Sequence, residues 1–165
     1  MSLSKFEIYK KITYTRGDII RANLPNDDGT DQDHICIIVN KKIVLGEIVY
    51  LVYMTSDCPE EKEKQIRKQM KSDPDALVEL TAKEVDQYFY NPVKTCIKCN
   101  MANLIKISHS DLSEMQARNA ACCVKDKITD ETIQKISPDI FDKIKKAIIK
   151  SNSYTEKDRQ LLLED

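Results

Sequence analysis

Nothing in these 165 residues approaches the ~18 consecutive apolar residues of a membrane-crossing helix. The stretch Met1 to Lys11 also lacks the apolar centre of a secretory signal. The expectation is a soluble, cytoplasmic protein. Net charge is nearly absent as well, with 26 Lys+Arg against 27 Asp+Glu and a formal charge of -1. That balance excludes a general basic coat, so a nucleic-acid partner would have to be met by a local patch. Histidine is scarce, with only His34 and His109. Side-chain proton transfer near neutral pH therefore has few candidate carriers. There is no internal repeat and no low-complexity tract.

What is present fits one domain, since a chain of this length buries well over half of its unfolded surface. The six cysteines are Cys36, Cys58, Cys96, Cys99, Cys122 and Cys123. Without an export signal they read as thiols. "CIKC" at Cys96–Cys99 and the adjacent pair Cys122–Cys123 do not have the spacing of a zinc ribbon, and Cys96 and Cys99 fit a strand carrying small side chains. No metal or cofactor is expected. The loop "PNDDGTDQD", Pro25 to Asp33, has four Asp. It is not a calcium loop, because an EF-hand register puts Ile37 where a bidentate Glu should stand.

The first two thirds read as short strands. Ile19 to Leu24, "ICIIVN" from Ile35 and "IVYLVYM" from Ile48 are β-branched or aromatic runs bounded by turn residues, and their continuity predicts burial on both faces. Gly46 marks a turn between the second and third. The charged stretch from Thr55 to Asp75 predicts an exposed loop with one or two helical turns at Glu60 to Met70, supported by pairs such as Glu60 with Lys64 and Glu63 with Arg67. "ALVEL" is a strand, and "TAKE" at Thr81–Glu84 is a capping box opening a brief helix. "PVKTCIKC" and "ANLIKI" complete the set of strands.

After Ser108 the period becomes helical. "SHSDLSE" reads as a capped helix start around His109. Ser137 caps a helix with Pro138 at its first position and Ile140, Phe141, Ile144, Ala147 and Ile148 on one face. "TDETIQKI", Thr129 to Ile136, and "TEKDRQLLLED" are further helix candidates. The predicted class is α+β, mainly β: a small antiparallel barrel over about 15–107 with a helical C-terminal part over about 108–165.

Several pieces in order resemble the MazF/PemK family of toxin–antitoxin ribonucleases. They are "RGDIIRANLP", a polar loop into "HICIIVN", "IVYLVYMTSD", "VKTCIKCNMANLIKIS", and a segment like "DKITDETIQKI" before a terminal amphipathic helix, together about Thr15 to Ile149. The resemblance implies an SH3-like barrel, a homodimer, metal-independent cleavage of single-stranded RNA with some sequence preference, and an antitoxin that occupies the RNA cleft. It also implies hydroxyl contacts near RNA from Thr55 and Ser56. Two elements depart: the family's Arg-Pro before the second strand, whose Arg acts on the scissile phosphate, is Asp33-His34 here, and the Arg-Cys-Asp that some relatives carry on the later strand is Thr95-Cys96-Ile97, which keeps only the Cys.

Metal-free RNA cleavage needs a base for the 2′-OH, an acid for the 5′ oxygen and a cation for the phosphorane. His34 at the loop-to-strand junction, with Arg16 and Arg21 flanking the opening strand, is the candidate base-and-clamp set. The alternative is a half-exposed strand-entry His with two surface arginines. A candidate RNA face lies between Gln87 and Ser110, which contains no Asp or Glu but carries Lys94, Thr95, Lys98, Lys106 and the aromatics Tyr88, Phe89 and Tyr90. In the alternative those aromatics are core or interface. Two function classes stay open: a toxin-like endoribonuclease, or a noncatalytic member of the same fold that binds nucleic acid or protein.

Overall fold

A computed structural model describes residues 7, 11, 13–25, 31–43, 46–55, 58–89, 91–119 and 134–164. The strands are β1 (Tyr14–Thr15), β2 (Asp18–Pro25), β3 (Asp31–Ile38), β4 (Lys42–Ile43), β5 (Ile48–Thr55), β6 (Leu77–Leu80), β7 (Thr95–Lys98), β8 (Ile105–Ser108) and β9 (Gln134–Lys135). The helices are α1 (Glu60–Gln69), α2 (Ala82–Val85), α3 (His109–Asn119), α4 (Pro138–Lys150) and α5 (Glu156–Leu163). The fold is α+β, a curled antiparallel half-barrel in the order β6-β7-β5-β3-β2-β9 with β8 also on β5, in keeping with a small SH3-like barrel carrying helices.

Burial on both faces follows from the continuous apolar runs of β2, β3 and β5. Odd-numbered Ile35 and Ile37 of β3 join one core cluster, and even-numbered Cys36 and Ile38 join another. The first is covered by α4 and α5 through Ile140, Ile144, Ala147, Ile148 and Leu162. The second is covered by Leu112 of α3. Each fully buried Ile or Leu contributes up to roughly 1.5–3 kcal/mol, an upper figure because the unfolded chain is already partly collapsed.

Turns and caps do the local work. Gly17 at φ 87° and Gly46 at φ 96° take left-handed conformations that a Cβ disfavours. Gly17 links β1 to β2, and its N–H donates to Ile38 O at 2.8 Å. Thr81 with Glu84 and Thr155 with Asp158 form capping boxes, and the Ser137 hydroxyl accepts from the Ile140 N–H.

Two expectations are corrected. Glu60 to Gln69 is a continuous ten-residue helix rather than one or two turns. It is acidic in its first turn and basic in its last, which suits the helix dipole, and Ile66 and Met70 anchor it over a small third cluster with Cys58, Ala76 and Cys96. In the predicted helix Thr129–Ile136, Gln134 and Lys135 are instead strand β9, paired with Ile19 and Asp18. Lys135 Nζ also reaches the buried Asp18 carboxylate at 2.8 Å, so tertiary pairing overrides a helical pattern there. The rest of that segment before Gln134, the loop tip 26–30 and Cys122–Cys123 lie outside the described residues.

Candidate nucleic-acid interface

β3 and β5 lie side by side with Cys36 opposite Tyr53. His34, two residues before Cys36, therefore shares the face of Tyr53. The two rings meet with centroids 4.9 Å apart at 54°. On the other flank of β5, Lys98 of β7 sets its ammonium 5.7 Å from the centre of the Tyr53 ring. The Tyr53 hydroxyl donates to Asn103 Oδ1 at 3.4 Å, and the Asn103 amide donates to Asn100 Oδ1 at 2.6 Å.

His34, Tyr53 and Asn103 border an open cleft of about 460 Å³, lined by Leu24, His34, Tyr53, the segment Ala102–Ile107 and Met115, and Lys98 stands outside that lining, against the Tyr53 ring. That volume is in the range of small-ligand sites. The wall is mixed, with Leu24, Leu104, Ile105, Ile107 and Met115 supplying apolar surface and His34, Tyr53, Asn103 and Lys106 the polar groups. It can hold a flat ring against an aromatic surface, with a cation nearby for an anion attached to it.

Thr55 ends β5 opposite Cys96 and lies one residue past the Ile35–Met54 pair, as His34 does on β3. The strands thus bring His34 and Thr55 to the same end of the ladder. Ser56 lies outside the described residues.

The two arginines do not join His34. Arg16 donates from Nε to Val39 O at 2.7 Å and from Nη2 to Leu162 O at 2.9 Å and Glu164 O at 3.1 Å. Its guanidinium carbon lies 5.9 Å from the centre of the Phe141 ring. It thereby closes the C-terminal end of α5, where helix carbonyls lack intrahelical donors. Arg21 is opposite Ile35, one residue out of step with the Ala22–His34 pair, so its side chain leaves the other face of the sheet.

The expected RNA face divides. Tyr88 is a core residue whose hydroxyl accepts from the Ser137 N–H and from Gln87 Nε2, both at 2.8 Å. Thr95 is buried, its hydroxyl donating to Val93 O at 3.1 Å. Lys94 pairs with Glu63, whose carboxylate also meets Arg67 Nε at 3.1 Å. Hydrogen bonding from Glu79, Lys94 and Arg67 holds the Glu63 carboxyl down to about 2. Lys106 borders the cleft, but its ammonium is 5.9 Å from the Tyr50 ring centre, on the sheet face away from Tyr53. Only Lys98 of the five stands over a cleft aromatic. Phe89 is core, and Tyr90 lies outside the described residues.

His109 has a structural position. It is fully buried at the start of α3, against the Tyr14 ring at 5.1 Å, with its Nδ1 3.2 Å from the Ser113 hydroxyl. The Ser108 hydroxyl accepts from the Asp111 N–H, which is the expected cap.

Cys36 and Cys99 are buried thiols whose titration burial pushes far up. Cys96 and Cys99 fall in different core clusters, which separates the "CIKC" pair as a chelate. Among the described residues no three His, Cys, Asp or Glu side chains are grouped to hold a metal ion, and no helix is long and apolar enough to cross a membrane.

Reading the sequence residue by residue missed Tyr53 and Asn103. A signal for Tyr53 did exist: in "IVYLVYM", Tyr50 and Tyr53 have opposite parity, so one of them must lie on the face of His34. No family model matches the chain, and neither a curated protein nor a solved structure matches it.

Proposed function

We propose that the chain is a MazF/PemK-like endoribonuclease that binds single-stranded RNA in the His34–Tyr53 cleft and cleaves it slowly. The observation that carries this reading is the His34–Tyr53 ring pair beside the Lys98 ammonium in an open cleft. Aromatic surface with a cation is the combination that holds unpaired bases and their phosphates, and stacking alone contributes ~1–3 kcal/mol per base.

In the reaction His34 takes the 2′-OH proton, the freed oxygen attacks phosphorus as the bond to the 5′ oxygen breaks, and the protonated His34 returns that proton to the departing 5′ oxygen. Lys98 supplies positive charge toward the phosphorane, and Thr55 supplies a hydroxyl at the strand end. The clamp is weaker than the family's, because Arg-Pro is replaced by Asp33-His34 and Arg16 is engaged with backbone carbonyls. Loss of one preorganised donor costs ~2.7–4 kcal/mol, or ~10²–10³ in rate.

In this reading the protein works as a homodimer in the cytoplasm, and an antitoxin segment competes for the cleft. Purified protein incubated with a long mixed-sequence RNA tests it, beside His34→Ala. Slow cleavage abolished in the variant is the expected result. The second reading, a noncatalytic RNA-binding module, is favoured by the engagement of Arg16 elsewhere, and it predicts RNA binding with no cleavage by either protein.

A further inference from the structure

Cys58 and Cys96 lie 38 residues apart in sequence, yet their sulfurs are 2.8 Å apart, with the Cys96 thiol directed at the Cys58 sulfur. The contact is fixed by backbone on both sides. Cys96 is paired with Thr55 at the end of β5, and the Cys58 N–H donates to Lys94 O at 2.9 Å, continuing the alignment past the strand. Both thiols are buried under α1 in the small cluster with Ile66, Met70 and Ala76. We propose that Cys58 and Cys96 are a peroxide-responsive thiol pair that closes to a reversible disulfide, tying the end of β5 to β7.

Access to the pair depends on α1. Of its ten residues only Ile66 is buried, and its other ties to the barrel are the ion pairs Arg67–Glu79 and Lys94–Glu63, whose cationic members are exposed. Such pairs hold weakly, so α1 belongs to the segments that open locally without global unfolding. Opening of α1 uncovers both sulfurs together, whereas Cys36 and Cys99 sit in the two large clusters.

The chemistry assigns the two roles. The Cys96 thiol is directed at the Cys58 sulfur, so Cys96 is the donor of the pair and Cys58 the acceptor, the sulfur whose negative charge that contact stabilises. Cys58 is therefore the attacking sulfur. Its thiolate takes the terminal oxygen of hydrogen peroxide to form a sulfenic acid, and the departing hydroxide leaves as water with the proton Cys58 gave up. The Cys96 sulfur then displaces the sulfenic hydroxyl, which leaves as a second water with the Cys96 proton. Two thiols have lost two electrons and two protons, and one peroxide has become two waters.

The test uses the full-length protein treated with hydrogen peroxide and then alkylated. The expected result is a loss of ~2 Da in the intact mass before alkylation, a peptide joining Cys58 to Cys96 after it, a higher unfolding midpoint, and reversal by dithiothreitol. Cys58→Ser should lose the link, and Cys36→Ser should keep it. Because Cys96→Ser changes a wholly buried side chain, the linked peptide in wild-type protein is the deciding measurement. A link between other cysteines, or both thiols fully alkylated while peroxide is consumed elsewhere, overturns the proposal. None of these readouts depends on RNA.

Discussion

Arg16, in the turn before β2, donates its Nη2 to the carbonyl of Leu162 at the far end of the chain, 2.9 Å away. A residue of the opening turn thus terminates the last helix, and with its bonds to Val39 O and Glu164 O it fastens α5 to the barrel. Arg16→Ala leaves those carbonyls without a charged donor, a loss of about 1.5–3 kcal/mol for hydrogen bonds of this type. Urea unfolding should show that drop, with RNA affinity unchanged. An Arg16→Ala protein of wild-type stability and reduced RNA affinity would return Arg16 to the binding site.

Tyr88 provides a second discrimination between core and RNA surface. Its hydroxyl accepts the N–H of Ser137, the residue that caps α4. Tyr88→Phe keeps the ring and removes the acceptor, leaving a part-buried N–H unpaired at a cost of ~1–3 kcal/mol. Denaturation should report that loss, and RNA binding should not move.

These two residues mark where the sequence was legible and where it was not. The longer strands, the Gly46 turn, the Thr81 capping box and the Ser137 cap could be read directly because each signal sits within a few residues of what it specifies: Thr81 caps with Glu84, and Ser137 with Ile140. His34 could be read as a candidate from its residue type and strand-entry position. The Tyr53–Asn103 contact spans 50 residues, and Arg16 acts on a carbonyl 146 residues away. Such pairings are decided by sheet register and helix docking, which local pattern does not encode. The lysine-and-aromatic stretch from Tyr88 to Lys106 had the right composition for an RNA face, but alternation along strands sent its members to different faces.

The Glu63 cluster predicts an acid response. Hydrogen bonds from Glu79, Lys94 and Arg67 hold the Glu63 carboxyl down to about 2, below the ordinary carboxylate range. A depressed acid stabilises the fold above its unfolded value and loses that contribution as pH falls through the folded one. The relevant window therefore runs from the ordinary carboxylate range down toward about 2. Glu79, raised first by its hydrogen bond to Glu63, acts in the opposite sense, so the two carboxyls titrate as a pair. The protection of α1 amides, taken relative to the intrinsic exchange rate at each pH, should fall on acidification in that window while α4 remains protected. Equal protection of both helices would remove the cluster as the anchor of α1.

Assembly has a direct check. A two-fold dimer is part of the proposed function, and the exposed apolar side chains Ile48, Val93, Ile149 and Leu161 are available to an interface. Light scattering should return twice the chain mass of 19.0 kDa. A constant monomer mass across micromolar concentrations would count against the dimer and leave the cleft proposal untouched.

The cleft itself is tested by separating stacking, charge and proton transfer. Tyr53 offers its ring between His34 and Lys98, so Tyr53→Ala should remove a stacking surface and weaken binding of a mixed-sequence single-stranded oligonucleotide by ~1–3 kcal/mol, about 5–150-fold. Lys98→Ala should act through charge: if its ammonium neutralises one phosphate, the slope of log affinity against log salt should fall by ~0.7, the increment for one contact on a single strand. His34→Ala should behave differently from both. Its ring contributes to the wall, but its distinctive role is proton transfer, which typically supplies ~10²–10⁴-fold in rate. Cleavage should then fall far more than affinity. Anisotropy at several salt concentrations, read beside cleavage of the same RNA, distinguishes the three outcomes. Unchanged affinity in Tyr53→Ala would move RNA out of this cleft, and cleavage undiminished by His34→Ala would remove His34 from the chemistry.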